Sequence, residues 1–133
     1  MTGITTAPST ATRWAAYGLS SLAIAFLTFD TVIKVLQTGM AVEATTALGY
    51  PAPAVLTIGL IELTCLVLYV LPPTAVLGAV LLTGYLGGAV ATHVRLGNPL
   101  FSHQLFPLYV AAFLWGGLYL REPRLRALLP FRR

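Results

Sequence analysis

Asp30, Lys34, Glu62 and His93, with Arg95 close behind, lie in or beside apolar stretches long enough to cross a bilayer. A charged side chain at the bilayer centre costs about 2.5 to 3.5 kcal/mol on insertion scales, so such groups pair with one another or face a protein interior or a wet cavity. Gathered together, two acids, two bases and an imidazole can hold a proton, pair with a charged headgroup or hydrogen-bond a polar ligand.

Their spacing narrows the chemistry. Asp30 precedes Lys34 by four residues, which puts both on one helical face with the acid first. Three roles are open to the lysine: a self-neutralising pair, contact with an anionic headgroup or a quinone oxygen, or snorkelling to the outer interface. Glu62 has no base within a turn of its own helix. It therefore needs a partner from another helix or must be held neutral by desolvation, and either a structural bond or a proton-transfer or ligand-binding role fits.

His93 and His103 are ten residues apart across an Asn98-Pro99 turn. That is a weak signal for zinc or haem, so no metal is expected, and hydrogen bonding or titration near neutral pH is the reading. Cys65 is the only cysteine, which rules out an intrachain disulfide, a redox pair or a thiolate cluster within one chain and leaves a small buried side chain.

The chain has 133 residues, 57% hydrophobic and 9% charged. An ordinary soluble domain has about 25% charged residues, so this composition indicates an integral membrane protein. Five of the eight basic residues lie at or after Arg121, a placement that suits a membrane anchor and argues against nucleic-acid binding. The first apolar stretch contains Asp30 and Lys34 and is too long for a signal-peptide core.

The elements that must position these residues are four helical spans, at about 14–36, 53–71, 74–94 and 104–120, forming one domain over 13–133 after a disordered tail over 1–12. Pro53 suits a first turn, and Pro72-Pro73 forces a tight antiparallel hairpin. Ser102 is the candidate cap of the last span, Pro107 is tolerable in its first turn, and Glu122-Pro123 stops it. Between Gln37 and Pro51, Met40, Ala44, Ala47 and Leu48 share a helical face and Gly49 can form a left-handed cap, which predicts a short interfacial helix. Residues 123–129 alternate basic and apolar groups as an amphipathic interfacial anchor does. The expected fold is thus all-α: an integral membrane four-helix bundle with an interfacial helix in its first outer loop and a basic C-terminal amphipathic segment.

Arg13 and the five C-terminal arginines fall on one side of such a bundle, against Lys34 and Arg95 on the other, which places both termini in the cytoplasm. Asp30 then lies about 9 Å and Glu62 about 13 Å inside the outer helix ends, with His93, Arg95 and His103 near the same level. One shared pocket in the outer half of the bilayer explains the coincidence, its charge balanced by Asp30 and Glu62 against Lys34 and Arg95. The candidate ligand-binding residues are Asp30, Lys34, Glu62, His93, Arg95 and His103. Gly84, Gly88 and Thr92 recur at intervals of four, a small-residue face for helix packing or for homo-oligomer contact.

The run Leu71-Pro72-Pro73-Thr74-Ala75-Val76-Leu77-Gly78-Ala79, followed by Thr83-Gly84-Tyr85-Leu86-Gly87-Gly88-Ala89-Val90-Ala91-Thr92-His93-Val94-Arg95, resembles the DoxX-like family of small bacterial four-helix membrane proteins. Asp30 to Lys34, Leu48-Gly49-Tyr50-Pro51, Glu62-Leu63, Pro99-Leu100-Phe101 and Phe106-Pro107 fit the same pattern, so the resemblance covers nearly everything after Arg13. It implies a multi-pass protein of the bacterial cytoplasmic membrane with links to quinone and thiosulfate oxidoreduction and to membrane oxidoreductase partners. No cofactor motif accompanies it, and whether the chain catalyses a reaction stays open. Three expectations follow: a redox-associated subunit binding a quinone-like or amphipathic molecule, an oligomeric carrier or channel for a small solute, or a non-catalytic scaffold for a membrane oxidoreductase.

Overall fold

The computed structural model describes residues 9–129. Every regular element among them is helical: α1 (Thr10–Val35), α2 (Gly39–Ala47), α3 (Ala54–Val70), a 3-10 turn at Pro72–Thr74, α4 (Ala75–Leu96), a π-helical turn at Leu100–Gln104, α5 (Phe106–Arg121) and α6 (Pro123–Leu128).

Local chemistry accounts for most boundaries. Ser9 caps α1 by accepting from the Thr12 amide at 3.2 Å, so the helix starts four residues before Trp14. Residues 10–12 are therefore helical where a disordered tail was expected, and residues 1–8 lie outside the described ones. Thr38 joins α1 to α2: its hydroxyl donates to the Ile33 carbonyl at 3.1 Å and accepts from the Ala41 amide at 3.3 Å. The short helix α2 exists as expected, and Gly49 follows it with a left-handed φ of 95°. Its buried face is Ala41 and Thr45, not the Met40, Ala44 and Ala47 stripe, because it rests on the other helices through small side chains and leaves Met40 outside.

The double proline ends α3 and opens α4 after one 3-10 turn, as the hairpin reading requires. The last long helix starts at Phe106, later than expected, because Leu100–Gln104 forms a separate π-helical turn. Ser102 does not cap it; its hydroxyl pairs with the His103 ring instead. Pro107 sits in the first turn of α5, where its missing N–H costs nothing. Within the expected anchor, α6 buries Leu125 against the core.

α1 packs on α3 and α5, and α4 closes the set by packing on the same two helices. Between them lies a core that includes Leu27, Leu66, Tyr69, Ala79, Leu82 and Leu114. Gly117 permits the closest approach of α5 to α1, since a Cβ there would meet the Ala16 carbonyl at 2.8 Å and collide with Ser20. Tyr69 is fully buried and ties three helices together. Its hydroxyl donates to the Leu114 carbonyl at 2.8 Å and accepts from Ser20 at 2.9 Å. Trp115 donates its indole N–H to Thr83 of α4 at 2.7 Å.

Two helical stretches, Thr10–Val35 and Pro72–Leu96, are long and apolar enough to cross a membrane, and only 28% of the apolar window in each is buried within the protein. The rest faces outward, with Leu22, Phe29, Ile61 and Val80 among the exposed apolar side chains. A contiguous apolar exterior of this kind is rare on soluble monomers.

The Tyr69 junction yields a test. Tyr69→Phe keeps the ring but strands the Ser20 hydroxyl in the core, and it should lower stability by about 1 to 2 kcal/mol. Thermal unfolding in detergent micelles would register this as a lower midpoint, and an unchanged midpoint would mean the junction contributes nothing.

Candidate functional site

The polar residues converge where α1, α3 and α4 meet. Lys34 leaves the last turn of α1 directly opposite Gly59 of α3, where an added Cβ would lie 2.8 Å from the Lys34 Cβ. That missing side chain lets the helices close, and Glu62, one turn further along α3, reaches the ammonium. Lys34 Nζ donates to Asp30 Oδ2 at 2.5 Å, to the Tyr85 hydroxyl at 2.6 Å and to Glu62 Oε2 at 3.3 Å. Tyr85 in turn donates to Glu62 Oε2 at 3.0 Å. An ammonium has three N–H donors, and here all three are engaged.

Burial grades this network. Glu62 is wholly inaccessible, while the Lys34 and Asp30 side chains are 15% and 27% exposed. Glu62 Oε1 and Thr31 Oγ1 are buried with no hydrogen-bond partner among the described residues. Buried polar atoms are nearly always paired, so an orphaned carboxylate oxygen marks a place where the fold leaves bonding capacity unused.

Arg95 does not join the network. Its guanidinium is exposed and donates to the Leu48 carbonyl at 2.6 Å, at the C-terminal end of α2, where a cation is favoured. The expected balance of two acids against two bases therefore fails. Asp30 and Glu62 share the single cation Lys34, and formal ionisation of all three leaves one negative charge in excess.

His93 and His103 are brought together, edge to face, with ring centroids 5.7 Å apart. The Asn98 side-chain amide lies 2.8 Å from His93 Nδ1, and His103 Nδ1 lies 2.8 Å from the Ser102 hydroxyl. An amide nitrogen can only donate, so His93 carries its proton on Nε2. Among the described residues no group of three or more His, Cys, Asp or Glu side chains is placed to hold a metal ion.

Two cavities meet at this network. The smaller, about 280 Å³, is walled by Ile58 and Ile61 of α3 and by Gly84 and Gly88 of α4. The larger, about 500 Å³, is lined by Phe26, Asp30, Asn98, His103 and Phe106 among others. Lys34, Tyr85, Ala89 and His93 line both, and Thr45 and Leu48 of α2 complete the shared boundary. Glu62 lines neither cavity and can act on their contents only through Lys34 and Tyr85, which it positions.

The small-residue face behaves differently from the helix-packing expectation. Among the described residues no neighbouring atom lies within 4 Å of where a Cβ would sit on Gly84 or Gly88, so these residues wall a cavity and pack on none of the described helices. Thr92 donates to the Gly88 carbonyl at 2.8 Å, which makes Tyr50 the donor in its 2.8 Å bond to Thr92.

Tyr85 is the residue that reading the sequence for charges misses. Its signal lies in the hairpin: it stands twelve residues after Pro73, and Glu62 stands ten before Pro72, so the two helices carry them to one level. No curated protein and no solved structure matches the chain. The model of the DoxX-like family does match, over residues 18–117, a stretch that contains the whole network and both histidines, and the chain therefore belongs to the DoxX-like family.

Proposed function

We propose that this protein is a multi-pass protein of the bacterial cytoplasmic membrane, with both termini cytoplasmic, that binds an amphipathic molecule of the quinone class as a redox-associated subunit. The observation that carries the reading is the meeting of two apolar-walled cavities at the Asp30–Lys34–Glu62–Tyr85 network, of which Lys34 and Tyr85 line both. Pockets for small molecules commonly measure about 300 to 1,000 Å³ and combine apolar walls with a few fixed polar groups. Size and polarity here fit a ring headgroup with an apolar tail. The shared lining residues Lys34, Tyr85 and His93 would hold the head, and the walls of Ile58, Ile61 and the α4 glycines would take the tail. The redox association rests on the family alone.

Four crossings are the natural disposition of this fold. α3 has 17 residues and α5 has 16, or about 26 and 24 Å of helix, a little short of a hydrocarbon core of about 30 Å. The turns at Pro72–Thr74 and Leu100–Gln104 add length to each. The outward apolar surface supplies the lipid contact.

A second reading, an oligomeric carrier for a small solute, is favoured by one feature: the open Gly84 and Gly88 face, which a second copy could cover. A monomer that leaves liposomes impermeable to solutes would remove it. A scaffold for a membrane oxidoreductase would use the network only to set helix register.

Two outcomes separate ligand binding from register. Glu62→Gln keeps an acceptor for Lys34 and Tyr85 and should retain near-normal stability, whereas Glu62→Leu strands both and should cost about 3 kcal/mol, read by thermal unfolding. Equal damage from both would mean the carboxylate charge itself is required. Ala89→Phe fills the space between the cavities and leaves Asp30, Lys34, Glu62 and Tyr85 themselves unsubstituted. Native mass spectrometry of protein extracted from its host membrane should find a co-purifying small molecule in the wild type and lose it in this variant. An empty wild type would end the ligand reading.

A further inference from the structure

Donor and acceptor bookkeeping around the cavities points to the hydrogen-bonding character of the ligand. At the network end every proton is already committed. The three Lys34 N–H groups go to Asp30, Tyr85 and Glu62, and the Tyr85 proton goes to Glu62. The Tyr50 proton goes to Thr92, whose own proton goes to Gly88. What is left over is acceptor capacity. Asp30 lines the larger cavity with only Oδ2 engaged, its side chain is 27% exposed, and the Tyr50 hydroxyl oxygen borders the smaller cavity with only its donor used.

Charge points the same way. Asp30 and Glu62 share one ammonium, and Arg95 pairs with neither of them among the described residues, its guanidinium donating to the Leu48 carbonyl instead. A carbonyl oxygen brought to Asp30 would set lone pair against lone pair in a poorly screened site. A hydroxyl hydrogen would find a charge-assisted acceptor, among the stronger hydrogen bonds a protein makes. His93, with its Nε2 proton, and the rotatable Thr45 hydroxyl can serve either head and discriminate against neither.

We propose that the larger cavity selects amphipathic ligands whose head donates a hydrogen bond, a phenol or quinol hydroxyl, over heads that only accept one, Asp30 being the residue that discriminates. The proposal rests on the ligand-pocket reading above and names the chemical form that the pocket prefers: the reduced, hydroxyl-bearing member of a quinone pair.

Three probes that share an apolar tail and differ in the hydrogen-bonding character of the head test it. The purified full-length protein in detergent micelles is titrated with 4-decylphenol, with its methyl ether 4-decylanisole, and with a decyl-substituted benzoquinone, and binding is read by tryptophan fluorescence and by thermal shift. The phenol should bind about tenfold tighter than the methyl ether or the quinone. Asp30→Asn, which removes the carboxylate charge, should shrink that ratio to about threefold or less while the methyl ether keeps its affinity. Equal binding of all three, or tighter binding of quinone, overturns the donor preference and leaves the ligand pocket standing. Saturable binding by none of them overturns both. If Asp30→Asn fails to fold, the wild-type ratio decides alone.

Discussion

The ammonium of Lys34 is the interaction on which the arrangement turns. A cation in apolar surroundings is tolerable only when its hydrogen bonds are made, because removing it from water costs several kcal/mol that its partners must offset. Lys34 finds those partners on α1, α3 and α4, at Asp30, Glu62 and Tyr85. The bonds to Glu62 and Tyr85 fix the rotation of α3 and α4 about their axes, since a one-residue turn of about 100° would carry the partner away. Gly59 makes this possible by bringing α3 against the base of the lysine side chain. Register, close approach and charge are therefore one constraint.

The fold has two polar junctions, and they differ in kind. At Tyr69 the hydroxyl gives one bond and takes one, and nothing is left over. Such a closed junction rigidifies helices without offering anything to a ligand. At Lys34 the donors are exhausted while acceptors remain, and one carboxylate oxygen has no partner. The two cavities that share Lys34 and Tyr85 gather at this open junction, and the core around Tyr69 is filled by Leu66, Leu82 and Leu114. The filled junction and the cavity-bearing junction thus occupy different parts of the same helices.

How far the sequence disclosed this depends on the range of the interaction concerned. The Asp30 to Lys34 pair was legible because four residues is a helical repeat, and the hairpin because two prolines leave little choice of connection. The need of Glu62 for a partner was legible, and the identity of that partner was not, because it depends on how α3 is rotated against α1. Tyr85 escaped for a related reason: a tyrosine within an apolar helix has no charge to flag it, and only hairpin register places it beside Glu62. The start of α1 was misjudged because Ser9 caps a polar first turn that hydropathy does not register. Arg95 was misplaced because proximity in sequence to His93 was read as proximity to the charge layer, whereas the end of a helix lets a long side chain turn outward to α2.

That last difference carries physical weight beyond a corrected position. An arginine at the network would have supplied a second cation to two carboxylates and closed the charge account, leaving a neutral, saturated cluster much like an ordinary structural ion pair. Held instead at the Leu48 carbonyl, Arg95 fastens the end of α2, whose Thr45 and Leu48 bound both cavities, and leaves Lys34 as the sole cation between Asp30 and Glu62. The same hydrogen bond therefore helps shape the cavity wall and sets the sign of what that wall presents. With all three groups ionised, that excess is only weakly screened on the side of the inaccessible Glu62, because the effective dielectric of a buried site is far below that of water. A polar cluster built only to align helices has no use for an unspent acceptor beside a cavity, whereas a binding site does.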